Sequence, residues 1–406
     1  MKLPTDSHPT YLVGGTRTPV GRFGGSLAFI RADDLAASVI KAQVERLDLD
    51  SDSISDVILG AANQAGDDNR NVARMAVLLA GLGDQVPGYT VNRLCASGLQ
   101  AVASAAQAIK SREANLILAG GVESMTRAPW VIAKPEQAFA KPTELFDSAL
   151  GWRLVNPKMQ VLDGGEATLS LGLCTEKLAR LMGITRDESD EFAQRSQQRA
   201  AMAREQGWFD GDIVAITVPN KKSSTNFMQD ETVRADTNLE SLASLKPVFL
   251  TDGIVTAGNA SPLSDGASIL VAASESALAE NHLQPRARVI GCATAGVAPS
   301  LFGLGPVPAI QKLMARFEFD LSEIDVIEIN EAYAAQVLAC TKELGIDPEI
   351  VNRSGGAIAL GHPLGSSGSR ILITAMGELE RTKGRYAIIS LCIGVGQGAA
   401  MLIERA

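Results

Sequence analysis

The sequence has few aromatic residues and no long hydrophobic run. Aromatic residues make up only 4% of the 406 residues, whereas 38 residues are glycine. This composition favours helices that pack closely on sheets. No apolar segment approaches the roughly 20 residues of a membrane-spanning helix, and the first residues lack the apolar core of a signal peptide. We therefore expect a soluble, cytoplasmic protein without a membrane partner.

Positive charge is also scarce. The chain has 37 Lys and Arg against 46 Asp and Glu, for a net charge of -9. A nucleic-acid surface needs clustered basic side chains, so we expect no nucleic-acid partner. An anionic ligand must meet a local basic patch, and Lys221, Lys222 and Arg234 offer one in an otherwise acidic chain.

The five cysteines show neither even pairing nor the close spacing of metal ligands. A chain of this length does not need disulfides to fold, so we expect free thiols in a reducing compartment. The cysteines are Cys95, Cys174, Cys292, Cys340 and Cys392.

Short apolar runs alternate with amphipathic stretches, which is typical of a layered α/β protein. The apolar runs predict strands at 56–62, 114–121, 268–273, 325–330 and 386–392. The amphipathic stretches predict helices that include 34–46, 99–110 and 310–317.

An internal repeat is the clearest sign of organisation. Residues 54–62 resemble 323–331, and residues 91–98 resemble 351–358 in the same order. If two similar halves pack symmetrically, their equivalent strand-to-helix turns face one another, and one site can draw on both. Between them, 125–255 is rich in charge and predicts an inserted lobe; its simpler interpretation is a solvated excursion without chemistry.

Cys95 lies where a predicted strand turns into a predicted helix. The N–H groups and the dipole at a helix N-terminus favour thiolate over thiol, so Cys95 is a candidate nucleophile. A small buried packing residue is the alternative, since free cysteine is among the most buried residue types.

His362 is the one histidine in a glycine-rich loop, because His8 is near the N-terminus and His282 lies in a polar connector. Pro363 disfavours helical geometry at His362, and the glycines allow close approach of backbone to a ligand. His362 is therefore either a catalytic base or a structural histidine.

Cys392 begins a second glycine-rich segment with Gly394, Gly396 and Gly398. Too few residues follow for the helix and strand of a dinucleotide-binding unit. Backbone N–H groups in such a loop can instead form an oxyanion hole beside a reacting carbonyl.

Asn330 lies at the end of a predicted strand. Taken alone, it is interpreted as a cap or turn residue.

Six segments taken together resemble the thiolase family, in order along nearly the whole chain: 92–98, 119–130, 256–267, 330–336, 355–370 and 392–400. The resemblance implies an α/β fold with two duplicated βαβαβ-type halves in five layers and an inserted loop domain. The implied boundaries are 1–124 with 256–280 for the N-terminal half, 125–255 for the loop domain, and 281–406 for the C-terminal half.

The resemblance also implies catalytic roles. Cys95 would hold the acyl group as a thioester, and His362 would take its proton and then polarise the substrate thioester carbonyl. Cys392 would be acid and base at the substrate α-carbon. Asn330 would orient a water that forms a first oxyanion hole with His362, and the N–H groups of Cys95 and Gly394 would form a second.

The resemblance implies that the substrates are acyl-CoA and CoA and that no metal or redox cofactor is needed. It also implies a homodimer or homotetramer. The positions that would contact coenzyme A are Arg234, Ser241, Leu245 and Phe249. Those that would line its pantetheine arm are Ala257 and Ser261.

The chemistry agrees with these residue types. Thiolysis needs a nucleophile that is also a good leaving group from a thioester, which a thiolate is. A Cys–His hydrolase has no use for Cys392, and a non-catalytic acyl or lipid carrier of the same fold would tolerate loss of Cys95 or His362.

The chain departs from the family pattern at two positions. Leu171 stands where many thiolases have a methionine that borders the acyl site, and Tyr333 stands for a usual phenylalanine. The resemblance gives no catalytic position to Cys174, Cys292 or Cys340, which we predict to be packing residues.

Residues 63–76 and 148–159 resemble the thiolases that cleave 3-oxoadipyl-CoA, whose acyl chain ends in a carboxylate. Burying that charge unpaired would cost several kcal/mol, so the enzyme needs a basic partner for it. The candidates are Arg127, Arg153 and Lys158. The alternative is a preference for plain short chains, as in an acetoacetyl-CoA thiolase (acetyl-CoA acetyltransferase).

Overall fold

The protein has a large central sheet covered by helices. Its structure is a computed structural model, which describes residues 1, 8–135, 137–141, 144–219 and 223–406. The strands are β1 (Thr10–Arg17), β2 (Gly21–Arg22), β3 (Asp56–Gly60), β4 (Gly88–Val91), β5 (Leu116–Ser124), β6 (Trp130–Ile132), β7 (Leu145–Asp147), β8 (Ile216–Pro219), β9 (Ser224–Phe227), β10 (Ser264–Ala273), β11 (Ala287–Gly296), β12 (Val326–Ile329), β13 (Tyr386–Ile393) and β14 (Gln397–Arg405).

The helices begin and end close to where the amphipathic pattern begins and ends. They are α1 (Ala32–Leu47), α2 (Val72–Ala80), α3 (Ser97–Lys110), α4 (Leu171–Met182), α5 (Arg186–Glu205), α6 (Leu239–Ala243), α7 (Glu275–Glu280), α8 (Pro306–Phe317), α9 (Ala334–Leu344), α10 (Ala357–Leu360) and α11 (Leu364–Thr382).

The sheet is symmetric about its middle. Its order is β12-β13-β14-β11-β1-β10-β5-β3-β4, with β2 beside β10. The antiparallel strands β1 and β11 lie at the middle. Next to β1 come the antiparallel strands β10 and β5, and then β3, which is parallel to β5. Next to β11 come the antiparallel strands β14 and β13, and then β12, which is parallel to β13. β4 lies parallel to β3, and Val351 forms the equivalent parallel bridge to Ile327. The predicted internal duplication is confirmed.

Three hydrophobic clusters define five layers. α1 and α2 pack on the outer face of the N-terminal half-sheet, and α8 and α9 pack on the outer face of the C-terminal half-sheet. The third cluster joins α3 and α11 to the inner faces of both half-sheets, through side chains such as Leu99, Val102, Ile371 and Met376. The five-layered α/β fold predicted from the sequence is thus confirmed.

The five predicted strands and the three predicted helices are present. Strands β5, β10 and β13 are buried along their whole length, because helices cover both faces of each half-sheet. Strands buried on both faces have continuous apolar sequences rather than alternating ones, which is why they could be recognised.

The charge-rich segment connects two neighbouring strands, since β5 ends at Ser124 and β10 begins at Ser264. It contains the small hairpins β6–β7 and β8–β9 and helices α4, α5 and α6. A capping box between Thr185 and Glu188 begins α5. The boundaries given for the inserted domain and the two halves stay a prediction. None of the described helices is long and apolar enough to cross a membrane.

Glycines allow the two central helices and β5 to approach closely. A Cβ atom added to Gly121 of β5 would overlap the carbonyl oxygen of Gly365 in α11. One added to Gly98 of α3 would lie 2.7 Å from that same oxygen, and one added to Gly368 would overlap the backbone of Leu99. The N-terminal ends of α3 and α11 therefore meet at a contact that leaves no room for a side chain.

We predict that Gly121→Ala destabilises the protein by about 1–3 kcal/mol, the usual cost of overpacking, because the overlapped atom belongs to rigid backbone. The matched control is Gly211→Ala, since a Cβ atom at Gly211 would have no neighbour within 4 Å. Thermal unfolding should show a lower Tm for Gly121→Ala and a Tm near that of the unsubstituted protein for Gly211→Ala. Equal Tm values for the two variants would contradict this packing argument.

Candidate active site

Cys95 lies in a short turn between β4 and α3. This single turn of 3-10 helix spans Leu94–Ala96. The Asn92 carboxamide oxygen accepts from the Leu94 N–H at 2.9 Å, and the Ser97 hydroxyl donates to the Leu94 carbonyl at 2.6 Å. Leu94 has a φ of 47°, a left-handed conformation that is strained for a residue with a bulky side chain. The turn is thus held from both sides in the conformation that presents Cys95.

The Cys95 thiol is buried and protonated in the free protein. Burial raises its pKa to about 11, although the backbone N–H groups of Gly394 and of Cys95 itself are directed at the sulfur and act in the opposite direction. The nearby Glu123 carboxyl raises the pKa further. The backbone N–H groups thus favour the thiolate, as expected, but desolvation outweighs them in the free protein. To act as a nucleophile, Cys95 would need a base.

His362 has the tautomer that a base requires. Its Nδ1 lies 2.6 Å from the hydroxyl oxygen of Ser367, and that hydroxyl donates to the Pro363 carbonyl at 2.9 Å. Since the single hydroxyl proton is used in that bond, Ser367 accepts from Nδ1–H, and Nε2 carries the lone pair. Burial, with a contribution from Arg370, lowers the His362 pKa to about 3, so the ring is neutral.

Asn330 meets His362 from the end of β12. Its amide nitrogen lies 3.3 Å from His362 Nε2, and its backbone N–H donates to the Ser390 carbonyl at 2.9 Å. The Asn330 side-chain oxygen is buried and has no hydrogen-bond partner within the part of the chain that the structure describes. One side of the Asn330 amide is therefore committed to His362, and the other can serve a ligand.

Cys392 lies near the end of β13, just before the tight turn to β14. Burial raises the pKa of its thiol, and the neighbouring Cys95 thiol adds to the effect. Cys392 packs in one cluster with Cys174, Phe302 and the partly buried Tyr333. The thiols of Cys95 and Cys392, which come from different halves of the chain, therefore lie close together.

Tyr333 places its hydroxyl among the cysteines. Burial and then the thiols of Cys392, Cys95 and Cys174 raise its pKa. Tyr333 is partly buried. The departure from phenylalanine noted in the sequence therefore puts a hydroxyl beside these thiols at the candidate site.

Glu123 joins the Cys95 side of the site to the His362 side. It is buried at the end of β5 and accepts hydrogen bonds from the backbone N–H groups of Ala62, Asn63 and Gly365 at 2.9, 3.2 and 2.9 Å. Burial raises its pKa to about 7 despite these three donors. Sequence reasoning missed Glu123 and Ser367; the one available signal for Glu123 was an acidic residue at the end of an apolar strand.

A cavity of about 430 Å³ opens beside Cys95. Its walls are mostly apolar and include Leu171, Cys174 and Gly394, as well as the side chain of Arg153. Cys174 is buried in a hydrophobic cluster with Phe302 and Cys392, as predicted for a packing residue, and it also lines the cavity. Cys340 is fully buried in the outer core and Cys292 packs against the central one, as predicted. All five cysteines are free thiols, as expected.

The predicted coenzyme A positions lie in or beside the inserted segment. Arg234, Ser241 and Ala257 are exposed, whereas Leu245, Phe249 and Ser261 are partly buried. The basic residues Lys221 and Lys222 lie outside the described residues. No group of three or more His, Cys, Asp or Glu side chains among the described residues is placed to hold a metal ion.

Comparison with known proteins agrees with this geometry. The family model of the thiolase N-terminal domain matches residues 10–276, and that of the thiolase C-terminal domain matches residues 283–405. The chain belongs to the thiolase family. As a thiolase it is an acyltransferase that catalyses CoA-dependent thiolytic cleavage, and not a Cys–His hydrolase.

Relatives of this thiolase match over almost their whole length. A beta-ketoadipyl-CoA thiolase of Pseudomonas knackmussii is 51% identical over 98% of this chain and 100% of that protein. A 3-oxoadipyl-CoA/3-oxo-5,6-dehydrosuberyl-CoA thiolase of Escherichia coli is 51% identical over 97% of this chain and 99% of that protein. The crystal structure of the Bacillus anthracis acetyl-CoA acetyltransferase is 40% identical, with a TM-score of 0.91 over 99% of this chain and 100% of that one.

We predict that Ser367→Ala lowers kcat about tenfold and leaves KM nearly unchanged. The substitution leaves the Nδ1–H of His362 buried without its acceptor, which costs about 1–3 kcal/mol and frees the ring to change tautomer. The control is Ser369→Ala, which removes another buried hydroxyl from α11, one that bonds to Ser268 and the Ser366 carbonyl rather than to His362. Steady-state kinetics of both variants make the comparison, and an equal loss of kcat in the two would contradict the role of Ser367.

Proposed function

We propose that this thiolase cleaves 3-oxoadipyl-CoA with CoA to acetyl-CoA and succinyl-CoA, through an acyl group held on Cys95. The observation that carries the proposal is the 51% identity, over nearly the full chain, to relatives named for that substrate. The cavity beside Cys95 supports it, because it is enclosed largely by apolar side chains and also contains a basic one, Arg153.

In the first half of the reaction, Cys95 passes its proton to His362 Nε2 as its sulfur attacks the 3-oxo carbonyl carbon. The N–H groups of Cys95 and Gly394 stabilise the oxyanion that forms there. The bond between the α-carbon and the former carbonyl carbon then breaks, which leaves an acyl thioester on Cys95 and the enolate of acetyl-CoA. Cys392 protonates the α-carbon of that enolate, and acetyl-CoA leaves.

In the second half, the thiol of CoA attacks the acyl thioester and gives its proton to the Cys392 thiolate. The new acyl-CoA leaves, and the Cys95 thiolate recovers its proton from His362. While His362 is protonated, its Nε2–H and a water held by Asn330 stabilise the enolate oxygen of acetyl-CoA. In the free protein the Asn330 amide nitrogen donates to the lone pair of Nε2 at 3.3 Å. Protonation of Nε2 ends that bond, and the Asn330 oxygen, which has no partner among the described residues, can accept from the water.

The neutral charge state of both groups supports this order of events. In the free protein, burial keeps Cys95 a thiol and His362 an uncharged imidazole. Separating charge between them is unfavourable in an apolar site, unless a substrate supplies the carbonyl on which negative charge develops. Proton transfer from Cys95 to His362 and attack of the sulfur on the carbonyl are therefore coupled. As a result, Cys95 does not exist as a reactive thiolate before the substrate binds.

We propose that coenzyme A binds along the surface formed by α6 and the segment that follows it. Arg234, Ser241, Leu245 and Phe249 would contact the nucleotide part, and Ala257 and Ser261 the pantetheine arm. Two contacts support the grouping: a Cβ atom on Gly258 would lie 2.6 Å from Leu245 Cδ1, so these segments touch, and the ring of Phe249 packs directly on Gly172 of α4. A requirement for no metal or redox cofactor stays a prediction.

We also propose that the protein is a homodimer or homotetramer. β4 has β3 as its one partner among the described strands, and Tyr89, Leu78 and Leu79 beside it are exposed. Trp130 and Ile132 on the β6–β7 hairpin form a second exposed apolar site. Such edges and patches are normally covered by a partner. A monomeric mass in sedimentation equilibrium at micromolar concentration would contradict this.

A cytoplasmic location is proposed from the five free thiols, which suit a reducing compartment. Cell fractionation that places the protein in an oxidising compartment would overturn it.

The second candidate function is an acetyl-CoA acetyltransferase that acts on acetoacetyl-CoA. One observation favours it: the structural likeness to the Bacillus anthracis acetyl-CoA acetyltransferase. Leu171 in the cavity wall, where the family commonly has methionine, leaves the acyl-chain preference open to either substrate.

A comparison of kcat/KM for 3-oxoadipyl-CoA, 3-oxohexanoyl-CoA and acetoacetyl-CoA tests the substrate proposal. We predict a preference of about tenfold or more for 3-oxoadipyl-CoA over 3-oxohexanoyl-CoA, because an unpaired buried carboxylate would otherwise cost several kcal/mol. The two acyl chains have the same length and differ only in the terminal carboxylate. Equal values, or higher values for acetoacetyl-CoA, would support the acetyltransferase instead.

A further inference from the structure

We infer that Arg153 binds the terminal carboxylate of the acyl chain and so sets the preference of this thiolase for dicarboxylic 3-oxoacyl-CoA substrates. This inference rests on the proposed function and names the group that determines its substrate. It starts from the three basic residues that the sequence offered, Arg127, Arg153 and Lys158, which the structure places in different surroundings.

Arg153 shares a cavity with the nucleophile. The cavity of about 430 Å³ is lined by both Cys95 and Arg153, and Arg153 is the one Lys or Arg side chain among its described lining residues. A short alkyl chain separates the carbonyl that Cys95 attacks from the terminal carboxylate. A carboxylate that enters this cavity with the acyl chain therefore has one fixed positive charge to meet.

The Arg153 guanidinium is available to a ligand. It is partly buried, and no described residue forms an ion pair or side-chain hydrogen bond with it. The acidic residue in the same wall is Glu123, and its oxygens are occupied by the backbone N–H groups of Ala62, Asn63 and Gly365. Among the described residues, no ion pair or hydrogen bond joins Glu123 to Arg153, so the guanidinium donors stay available to a carboxylate in the cavity.

The other two candidates lack one or both of these properties. Arg127 forms an ion pair with Asp67 and also donates to the Ala28 carbonyl at 3.3 Å, and it does not line the Cys95 cavity. Lys158 is exposed in the short 3-10 helix Pro157–Val161 and is also absent from the cavity wall. Only Arg153 combines a free charge with access to the acyl chain.

The chain around Arg153 is fixed in place. The indole N–H of Trp152 donates to the Leu169 carbonyl at 3.2 Å, and both residues line the cavity. This bond ties the Arg153 segment to the turn that precedes α4. An arginine presents a planar fork of donors that matches a carboxylate with two parallel hydrogen bonds, whereas a lysine ammonium acts as a point charge.

The apolar wall increases the effect of the charge. A carboxylate and a guanidinium interact more strongly away from water than on an exposed surface. A carboxylate drawn into the same cavity without a partner is unfavourable by several kcal/mol. Arg153 therefore selects in favour of dicarboxylic chains, while a chain that ends in a methyl group leaves the guanidinium unpaired and gains nothing from it.

The test measures the ratio of kcat/KM for 3-oxoadipyl-CoA to kcat/KM for 3-oxohexanoyl-CoA in four proteins. These are the unsubstituted enzyme, Arg153→Gln, Arg153→Lys and the matched control Lys158→Gln, which removes a positive charge from the same stretch of chain outside the cavity. We expect the ratio to fall tenfold or more in Arg153→Gln, to fall less in Arg153→Lys, and to stay within twofold in Lys158→Gln. A general loss of structure would lower both kcat/KM values and leave their ratio unchanged.

The outcomes separate the two proposals. If the unsubstituted enzyme prefers 3-oxoadipyl-CoA and Arg153→Gln keeps that ratio, the role of Arg153 is refuted and the proposed substrate stands. A fall in the ratio that is equally large in Lys158→Gln also refutes it, because the effect would then come from general surface charge. If the unsubstituted enzyme shows no preference for the dicarboxylate, the proposed substrate itself fails, and the inference fails with it.

Discussion

The site depends on the contact between the N-terminal ends of α3 and α11. Cys95 lies immediately before α3 and His362 just before α11, in the two halves of a duplicated chain. Gly98, Gly121 and Gly365 let backbone touch backbone where these helices and β5 meet. Any side chain there would push the helices apart and change the separation of Cys95 and His362, the proposed nucleophile and base. The glycine-rich composition is therefore a requirement of the site as much as of the fold.

Burial determines the chemistry within this frame. It raises the pKa of Cys95 and lowers that of His362, so neither group is charged in the free enzyme. Ser367 fixes the ring so that the lone pair of Nε2 faces the site. Glu123 gathers backbone N–H groups from the loop after β3 and from the start of α11. Ser367 and Glu123, which take no part in the proposed reaction, thus hold in place the groups proposed to react.

The sequence predicted those features that depend on local pattern. Apolar runs identified strands such as β5 and β13, because these are buried on both faces, and the order of short repeats identified the two halves. Cys95 and His362 could be recognised by their positions beside a helix start and among glycines. Ser367, Glu123 and the isolation of Arg153 could not, because their roles come from partners distant in the chain. The net protonation of Cys95 in the free protein could not be predicted either, because the amount of burial is a tertiary property.

The central claim is that Cys95 alone carries the acyl group. The most direct measurement is incubation of the enzyme with acetyl-CoA in the absence of an acceptor, followed by peptide mass analysis of the unsubstituted protein and of Cys392→Ser. The account predicts one acetyl group per chain, on the peptide that contains Cys95, in both proteins. Cys392→Ser should slow the acetylation, because Cys392 protonates the CoA thiolate that leaves, but it should not change which residue is acetylated. An acetyl group on Cys392, or none on Cys95, would contradict it.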